Sequence, residues 1–361
     1  MENTLQSFKK KLEELRHHIE GLQLESRLVS FAVSEKPQAE QDSLISEYLR
    51  HLSQTHSEKR RFDYNSIIVS LYGFLERFVE SMIESYLKQL NRIIPEYKAI
   101  PEEIRKNYID FSIEFMRHVE NAKYEGLITK EQLISDIYSC VTDSDNYRIN
   151  PYPFIHHTAN FRMDVIARSF AKIGIRNLSA RVIKCPVFTR YLQDKDPGSV
   201  DHAEPESALS DLNDLVSRRN EVAHGELPDQ LIDNRTILDD YIPLFEVYGE
   251  ALYDVVHGEI LKYQSEHKGI PLGEASKVYH QGKVIGISVK NTALEVGDQI
   301  VAKPAEDILP HLAGKILELQ IKGHKYDEIP ANPSGVEVGI RVPFKAKENQ
   351  IFFLIKKMIN D

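Results

Sequence analysis

Residues 219–225 read Arg-Asn-Glu-Val-Ala-His-Gly. Two side chains in this run suit RNA cleavage. A His titrates near neutral pH and can take or give a proton. An Arg is a permanent planar cation whose fork fits a pair of phosphate oxygens. Asn220 adds an amide next to that cation. The chain carries no phosphate-cradling glycine loop and no nucleophilic Ser or Cys motif. His156-His157 lacks Cys or carboxylate companions at zinc-ligand spacing, so neither a metal nor a cofactor is expected.

The element that must present these residues is a helix over Ser207–His224. Leu212, Leu215, Val216, Arg219 and Val222 recur at helical spacing, which places Arg219 on the apolar stripe. A guanidinium there is costly unless acceptors meet it. A core carboxylate or an arriving phosphate would serve. Asn220 and His224 are four residues apart and share a face. Gly225 is a natural helix stop, which leaves His224 accessible near a terminus. The spacing also fits a plainer role, with Arg219 tying a bundle together and His224 capping terminal carbonyls.

Further elements surround this helix. Apolar periodicity predicts helices over 1–28, Asp42–His56 and Asp63–Ile94, the last ended by Pro95. Others are expected over Glu102–Val119 after Pro101, Leu127–Cys140 and Arg162–Lys172. Thr129 and Gln132 form a capping box for the second of these. Residues 142–160 read as loop, as do 194–205. A last long helix covers Ile237–Gln264, with Pro243 near its first turns. After Gly269 the period changes. Short β-branched runs at Lys277–Lys290, Gln299–Lys303, Lys315–Lys322, Val336–Phe344 and Gln350–Lys356 are separated by turn residues. The expected class is multidomain, α then β. A helical extension (1–60) precedes an all-α bundle (61–265), and a small β-barrel follows (270–361).

Composition narrows the function classes. A chain of 361 residues, 42% hydrophobic and 28% charged, has ample material for a core. The net charge of −10 argues against bulk, non-specific nucleic-acid binding. The charge is uneven, however. Residues 161–195 hold eight Lys/Arg (Arg162, Arg168, Lys172, Arg176, Arg181, Lys184, Arg190, Lys195) against Asp164 and Asp194. Residues 201–259 hold fifteen acids against Arg218, Arg219 and Arg235. Such a basic stretch can hold a phosphate backbone or simply form a solvated face. The first residues show no secretory signal, and no apolar run is long enough to span a membrane. Cys140 and Cys185 make no disulfide framework, so a cytoplasmic setting is expected.

The run Arg219-Asn220-x-x-Ala223-His224-Gly225, late in a helical region, resembles the signature of the HEPN superfamily. It is similar in particular to the form found in HEPN domains of defence and toxin-like proteins. The resemblance covers about residues 60–262. Tyr72, Glu76 and Glu80, the segment His157-Thr-Ala-Asn160-Phe-Arg162, and Ile173-Gly174-Ile175 share it. It implies a metal-independent endoribonuclease acting as a homodimer, with Arg219, Asn220 and His224 of both chains in one cleft. The implied products are a 2′,3′-cyclic phosphate and a 5′-hydroxyl. The candidate RNA contacts are Asn160, Arg162, Arg168 and Lys172, although residues of the first two types also serve as helix caps. Glu76 and Glu80 either hold Arg219 or form a solvated edge. The setting implied is phage defence or toxin-like growth arrest, with tRNA or rRNA as substrate and an antitoxin or phage-derived trigger as partner. A non-catalytic HEPN scaffold that binds RNA or a protein is the other reading.

Val296-Gly-Asp-Gln-Ile300, Gly314–Ile321 and Gly335–Val342 resemble the β-barrel of translation factors, the second domain of elongation factor Tu and its relatives, over about 272–356. That resemblance implies contact with tRNA or the ribosome. Dimerisation, or binding of another protein, fits the same strands.

Overall fold

The computed structural model describes residues 1–34, 44–196, 198, 203–225 and 230–357. Helix α1 spans Glu2–Ser34 and α2 spans Leu44–Ile93. The two helices expected over 42–56 and 63–94 are one helix of 50 residues. Residues 57–62 (Ser-Glu-Lys-Arg-Arg-Phe) contain neither Gly nor Pro, so nothing there stops propagation. Position 60, the expected end of the extension, therefore falls inside α2. The start of the helix expected from Asp42, and part of the loop expected over 194–205, lie outside the described residues.

Helix α3 (Glu102–Phe115) follows Pro101, and α4 (Lys130–Val141) follows Thr129. Thr129 Oγ1 accepts from Gln132 N at 3.2 Å. The Gln132 side chain does not reach back to complete the box. It donates instead to Asp136 Oδ1 at 2.8 Å. Helices α5 (Tyr152–Ile155), α6 (Met163–Ala171), α7 (Leu178–Ile183), α8 (Pro186–Lys195), α9 (Pro205–Ala208), α10 (Ser210–Ala223), α11 (Asn234–Thr236) and α12 (Ile242–Lys268) complete the helical part. A π turn at Ile237–Tyr241 leads into α12. Its wider ring ends just before Pro243, which has no N–H to give.

The β-rich region holds β1 (Ile270–Glu274), β2 (Lys277–Tyr279), β3 (Val284–Val289), β4 (Leu294–Glu295), β5 (Gln299–Lys303), β6 (Leu312–Lys315), β7 (Glu318–Ile321), β8 (His324–Tyr326), β9 (Glu328–Ile329), β10 (Val336–Arg341) and β11 (Ile351–Ile355). The strand expected over 277–290 is broken. His280 (φ 49°), Gln281 (φ 56°) and Gly282 (φ 91°) turn the chain between β2 and β3. Pairing is antiparallel throughout, in the orders β1-β11-β5-β6, β2-β3-β10-β7-β8 and β4-β9. Among the described residues these ladders do not join into a ring, so the expected closed barrel is not found. The strands nevertheless share one apolar core, including Ile287, Ile300, Leu319, Ile340 and Phe352. A common core needs facing side chains, not continuous hydrogen bonding around a cylinder.

The chain divides into two compact units. The first comprises Met1–Met82, Thr158–Ile166 and Val187–Ala251; the second comprises Ile83–His157, Ala167–Pro186 and Leu252–Asp361. In the first unit, Phe8 of α1 stacks on Phe78 of α2 with ring centroids 4.4 Å apart. Lys9 pairs with Glu250 and Arg16 with Glu246, tying α1 to the start of α12. In the second unit, Phe115, Val119, Tyr124 and Leu133 form a core beneath α3 and α4. Arg181 and Glu259 make a buried ion pair there at 2.7 Å.

Candidate functional site

Two stripes of α10 meet two different environments. Leu212, Leu215 and Val216 are buried and anchor the helix. Successive residues turn about 100°, so 219 continues that apolar stripe. A second stripe holds Asn213, Ser217, Asn220 and His224, spaced by four, three and four. It faces the segment Asn160–Met163. Asn213 Oδ1 accepts from Met163 N at 3.0 Å, which satisfies an open donor at the start of α6. Arg162 Nη2 donates to Ser217 Oγ at 3.1 Å, and Asn160 Nδ2 donates to Asn220 Oδ1 at 2.7 Å. The stripe then runs out to His224. Its backbone N–H closes on Asn220 O at 3.0 Å, and its side chain is exposed. Gly225 follows with φ 72°, the left-handed conformation that ends helices and favours glycine.

Arg219 is half-buried. Its Nη1 donates to Asn160 Oδ1 at 3.3 Å and to Asn220 Oδ1 at 3.4 Å. Its guanidinium carbon lies 4.9 Å from the centroid of the Tyr72 ring. Aromatic faces attract cations without neutralising them. Tyr72 is buried and is held in turn. Its hydroxyl accepts from Phe161 N at 3.2 Å and has acceptors at Glu76 Oε1 (3.3 Å) and Asn160 Oδ1 (3.4 Å). Burial raises the Tyr72 hydroxyl above the ordinary tyrosine value, so it stays protonated.

The structure thus brings Arg219, Asn220 and Asn160 together, with His224 at the end of the same helix. Glu76 reaches the cluster through the Tyr72 hydroxyl. Glu80, 3% exposed, lies 3.7 Å from Arg77 of its own helix. Arg168 and Lys172 belong to the second unit, and the cluster is built without them. Lys172 Nζ sits 4.8 Å from the centroid of the Phe111 ring. The eight cations of 161–195 do not share one helix face: Arg181 is buried against Glu259, Arg176 pairs with Glu103, and Lys195 pairs with Asp240. Sequence reasoning gave no role to Asn213 and Ser217. Their signal was their spacing, which continues the Asn220–His224 face backward along α10.

Other reactive side chains are otherwise engaged. His156 Nδ1 lies 3.0 Å from Tyr124 Oη, and its ring stacks on His118 at 4.3 Å. Cys140 and Cys185 are buried, and burial pushes each thiol up to about 12. Among the described residues, no group of three His, Cys, Asp or Glu stands close enough to hold a metal ion, and no helix is long and apolar enough to cross a membrane.

A family model described as RiboL-PSP-HEPN matches residues 39–257, more than half of the chain and the whole stretch from Tyr72 to His224. The chain belongs to the RiboL-PSP-HEPN family. HEPN domains are, as a family, ribonucleases or RNA-related modules. The HEPN match begins before residue 60, so it takes in the first half of α2. It ends within α12, so the β-rich region lies outside it. No curated protein matches the chain.

Proposed function

We propose that this HEPN protein is a metal-independent endoribonuclease whose site is completed by a second copy of the chain. The observation that carries this reading is the state of Arg219. It is half-buried, steered by two amides and a ring, and its contacts use Nη1 among the described residues. Among the described residues, Nε and Nη2 are left as donors for a phosphate.

The chemistry proposed has four parts. The 2′-oxygen attacks phosphorus and the bond to the 5′-oxygen breaks. One imidazole takes the 2′-hydroxyl proton, and a second, protonated imidazole gives a proton to the leaving oxygen. The guanidinium stabilises the charge gathered on the phosphorane. The products are a 2′,3′-cyclic phosphate and a 5′-hydroxyl. Each chain supplies one His224, so a twofold pair supplies both proton-transfer groups. Phe62 and Val69 of α2 support such pairing. They are 71% and 47% exposed, seven residues apart on the helix that also carries Tyr72. Arg162, Arg168 and Lys172 are proposed contacts to the RNA backbone. The β-rich region is proposed to select the substrate, tRNA or rRNA, or to sense a trigger in phage defence or toxin-like growth arrest.

The test incubates the full chain with total RNA and with tRNA in EDTA. Cleavage leaving cyclic phosphate ends, reduced by a factor on the order of 10²–10⁴ in His224→Ala, supports the nuclease. If both proteins are inert on all RNAs and equally harmless to cells, the protein is an RNA- or partner-binding scaffold instead.

A further inference from the structure

Asn160 meets Arg219, Tyr72 and Asn220 through one side-chain amide, and donor–acceptor logic fixes which way round it sits. Arg is donor-only and permanently charged, so whatever faces Arg219 Nη1 must be an oxygen. That assigns Oδ1 of Asn160 at 3.3 Å and Oδ1 of Asn220 at 3.4 Å. The Tyr72 hydroxyl also approaches Asn160 Oδ1, at 3.4 Å. With its oxygen so placed, the Asn160 amide presents Nδ2 to Asn220 Oδ1 at 2.7 Å. Two donors therefore converge on one oxygen of Asn220, and the opposite end of that amide, its NH2, must face away from them.

We infer that Asn160 is a positioning residue: it locks the Asn220 amide with its carbonyl oxygen inward and its NH2 outward, as a donor for a phosphate oxygen. This inference rests on the nuclease reading for its consequence but not for its geometry. It replaces a direct phosphate contact by Asn160, whose oxygen and one N–H are already committed inside the protein. The backbone makes the lock stiff. Phe161 N donates to Tyr72 Oη, Met163 N donates to Asn213 Oδ1, and Arg162 grips Ser217, so the three residues that follow Asn160 are held to α2 and α10. An inverted Asn220 would turn a carbonyl oxygen toward the anion and repel it.

The decisive variant is Asn160→Asp. A carboxylate still accepts from Arg219 and Tyr72, but it cannot donate to Asn220. The new carboxylate takes the Arg219 Nη1 donors on its own oxygens and draws the Asn220 NH2 inward. The test labels the asparagine side-chain amides with ¹⁵N in the full-length protein and follows their hydrogen exchange. A 2′-O-methyl RNA oligonucleotide, which cannot be cleaved, is then added. Residues are assigned by Asn160→Asp and Asn220→Asp. The expected pattern in the free protein is a protected Asn160 NH2 and a fast-exchanging Asn220 NH2. Addition of the oligonucleotide shifts Asn220 and leaves Asn160 in place. In Asn160→Asp the Asn220 NH2 becomes protected, the unfolding midpoint holds, and cleavage falls about 100-fold through kcat, the size of losing one preorganised donor. A protected Asn220 NH2 in the free wild type, or an oligonucleotide shift at Asn160 instead of Asn220, overturns the inference. If the oligonucleotide does not bind, the nuclease reading fails, and the exchange pattern of the free protein still decides the orientation of the two amides.

Discussion

Arg218 and Arg219 are adjacent in sequence and opposite in circumstance. Arg218 Nε donates to Asp214 Oδ2 at 2.6 Å, and its Nη1 donates to Tyr64 Oη at 3.1 Å and to Gln230 O at 2.9 Å. Asp214 also bonds the Tyr241 hydroxyl. Arg218 thus joins α10 to α2, to the chain beyond the motif and, through Asp214, to the turn before α12. Burial pulls its pKa down, but the bonds to Asp214 and Tyr64 outweigh that and raise it overall. Arg219, one residue and about 100° further on, meets two amides and an aromatic ring. None of these carries a countercharge. One face of α10 has used its cation to hold the fold, while the other presents a cation held in place but not neutralised. The neighbours of an arginine, not its residue type, decide whether its charge remains available.

The largest expected effect comes from Arg219→Lys. An ammonium loses the planar fork, so RNA cleavage should fall by a factor on the order of 10²–10³. The unfolding midpoint should stay near wild type, because neutral partners leave no carboxylate stranded. A midpoint that drops and carries the cleavage rate down with it would erase the distinction between the two arginines. Next comes Val69→Arg. A charge on the exposed stripe of α2 should shift the chain toward monomer in sedimentation and lower cleavage about tenfold or more at low protein concentration, if removing a hot-spot apolar contact costs roughly 1.4 kcal/mol or more. Activity that persists in a proven monomer would break the two-copy site while leaving the contrast within α10 intact.

A smaller effect, and one of a different kind, is expected from Arg218→Lys. It gives up bonds to three separate acceptors at a half-buried position, at a cost of about 1–2 kcal/mol in denaturant unfolding. Cleavage per folded molecule should be unchanged. If cleavage collapses while stability holds, Arg218 belongs to the chemistry after all. The smallest effect is at Asp211, on the same face as Arg218. Burial raises its carboxyl above the usual value, against the pull of Lys195. In the folded protein it therefore binds its proton more tightly than in the unfolded chain. Its charged form costs stability above the folded pKa, and that cost is relieved as pH falls through the folded pKa toward the unfolded one. Asp211→Asn should raise stability slightly near pH 7 and flatten this part of the profile. A variant less stable than wild type at pH 7 would show that the charge of Asp211 is needed on this face.

Much of the helical part was legible because helix signals are local. The stripe Leu212, Leu215, Val216 and the glycine after His224 located α10, and Thr129 located the start of α4. Where local signals misled, a specific competitor won. Residues 57–62 fall between the two helices that periodicity predicts, but without Gly or Pro the backbone continues. Gln132 completed a capping-box spacing, yet its side chain found Asp136 instead. In the β-rich region, strand periodicity located Gln299–Lys303 to the residue. Whether ladders close depends on pairing between distant strands, and the pattern of apolar residues is the same in an open pair of sheets as in a barrel.

The candidate site was half legible. Arg219, Asn220 and His224 stand in one run, and helical geometry relates them without any tertiary knowledge. Asn160 and Tyr72 are 59 and 147 residues away from Arg219 in sequence, and nothing in their own neighbourhoods says that one amide orients the motif and one ring floors it. The sequence by itself determined which residues share each stripe of α10, because a 3.6-residue repeat sets those angles wherever the helix lies. It also determined where the helix ends, through Gly225. The i,i+4 spacing also put Asp214 beside Arg218, whereas only the tertiary structure decided that Arg219 meets neutral amides and a ring. That depends on segments far apart in the chain packing against it. Helical spacing pairs Arg218 with Asp214 and sets Leu215 and Val216 behind Arg219, and the fold makes the first arginine a tie and the second an open cation.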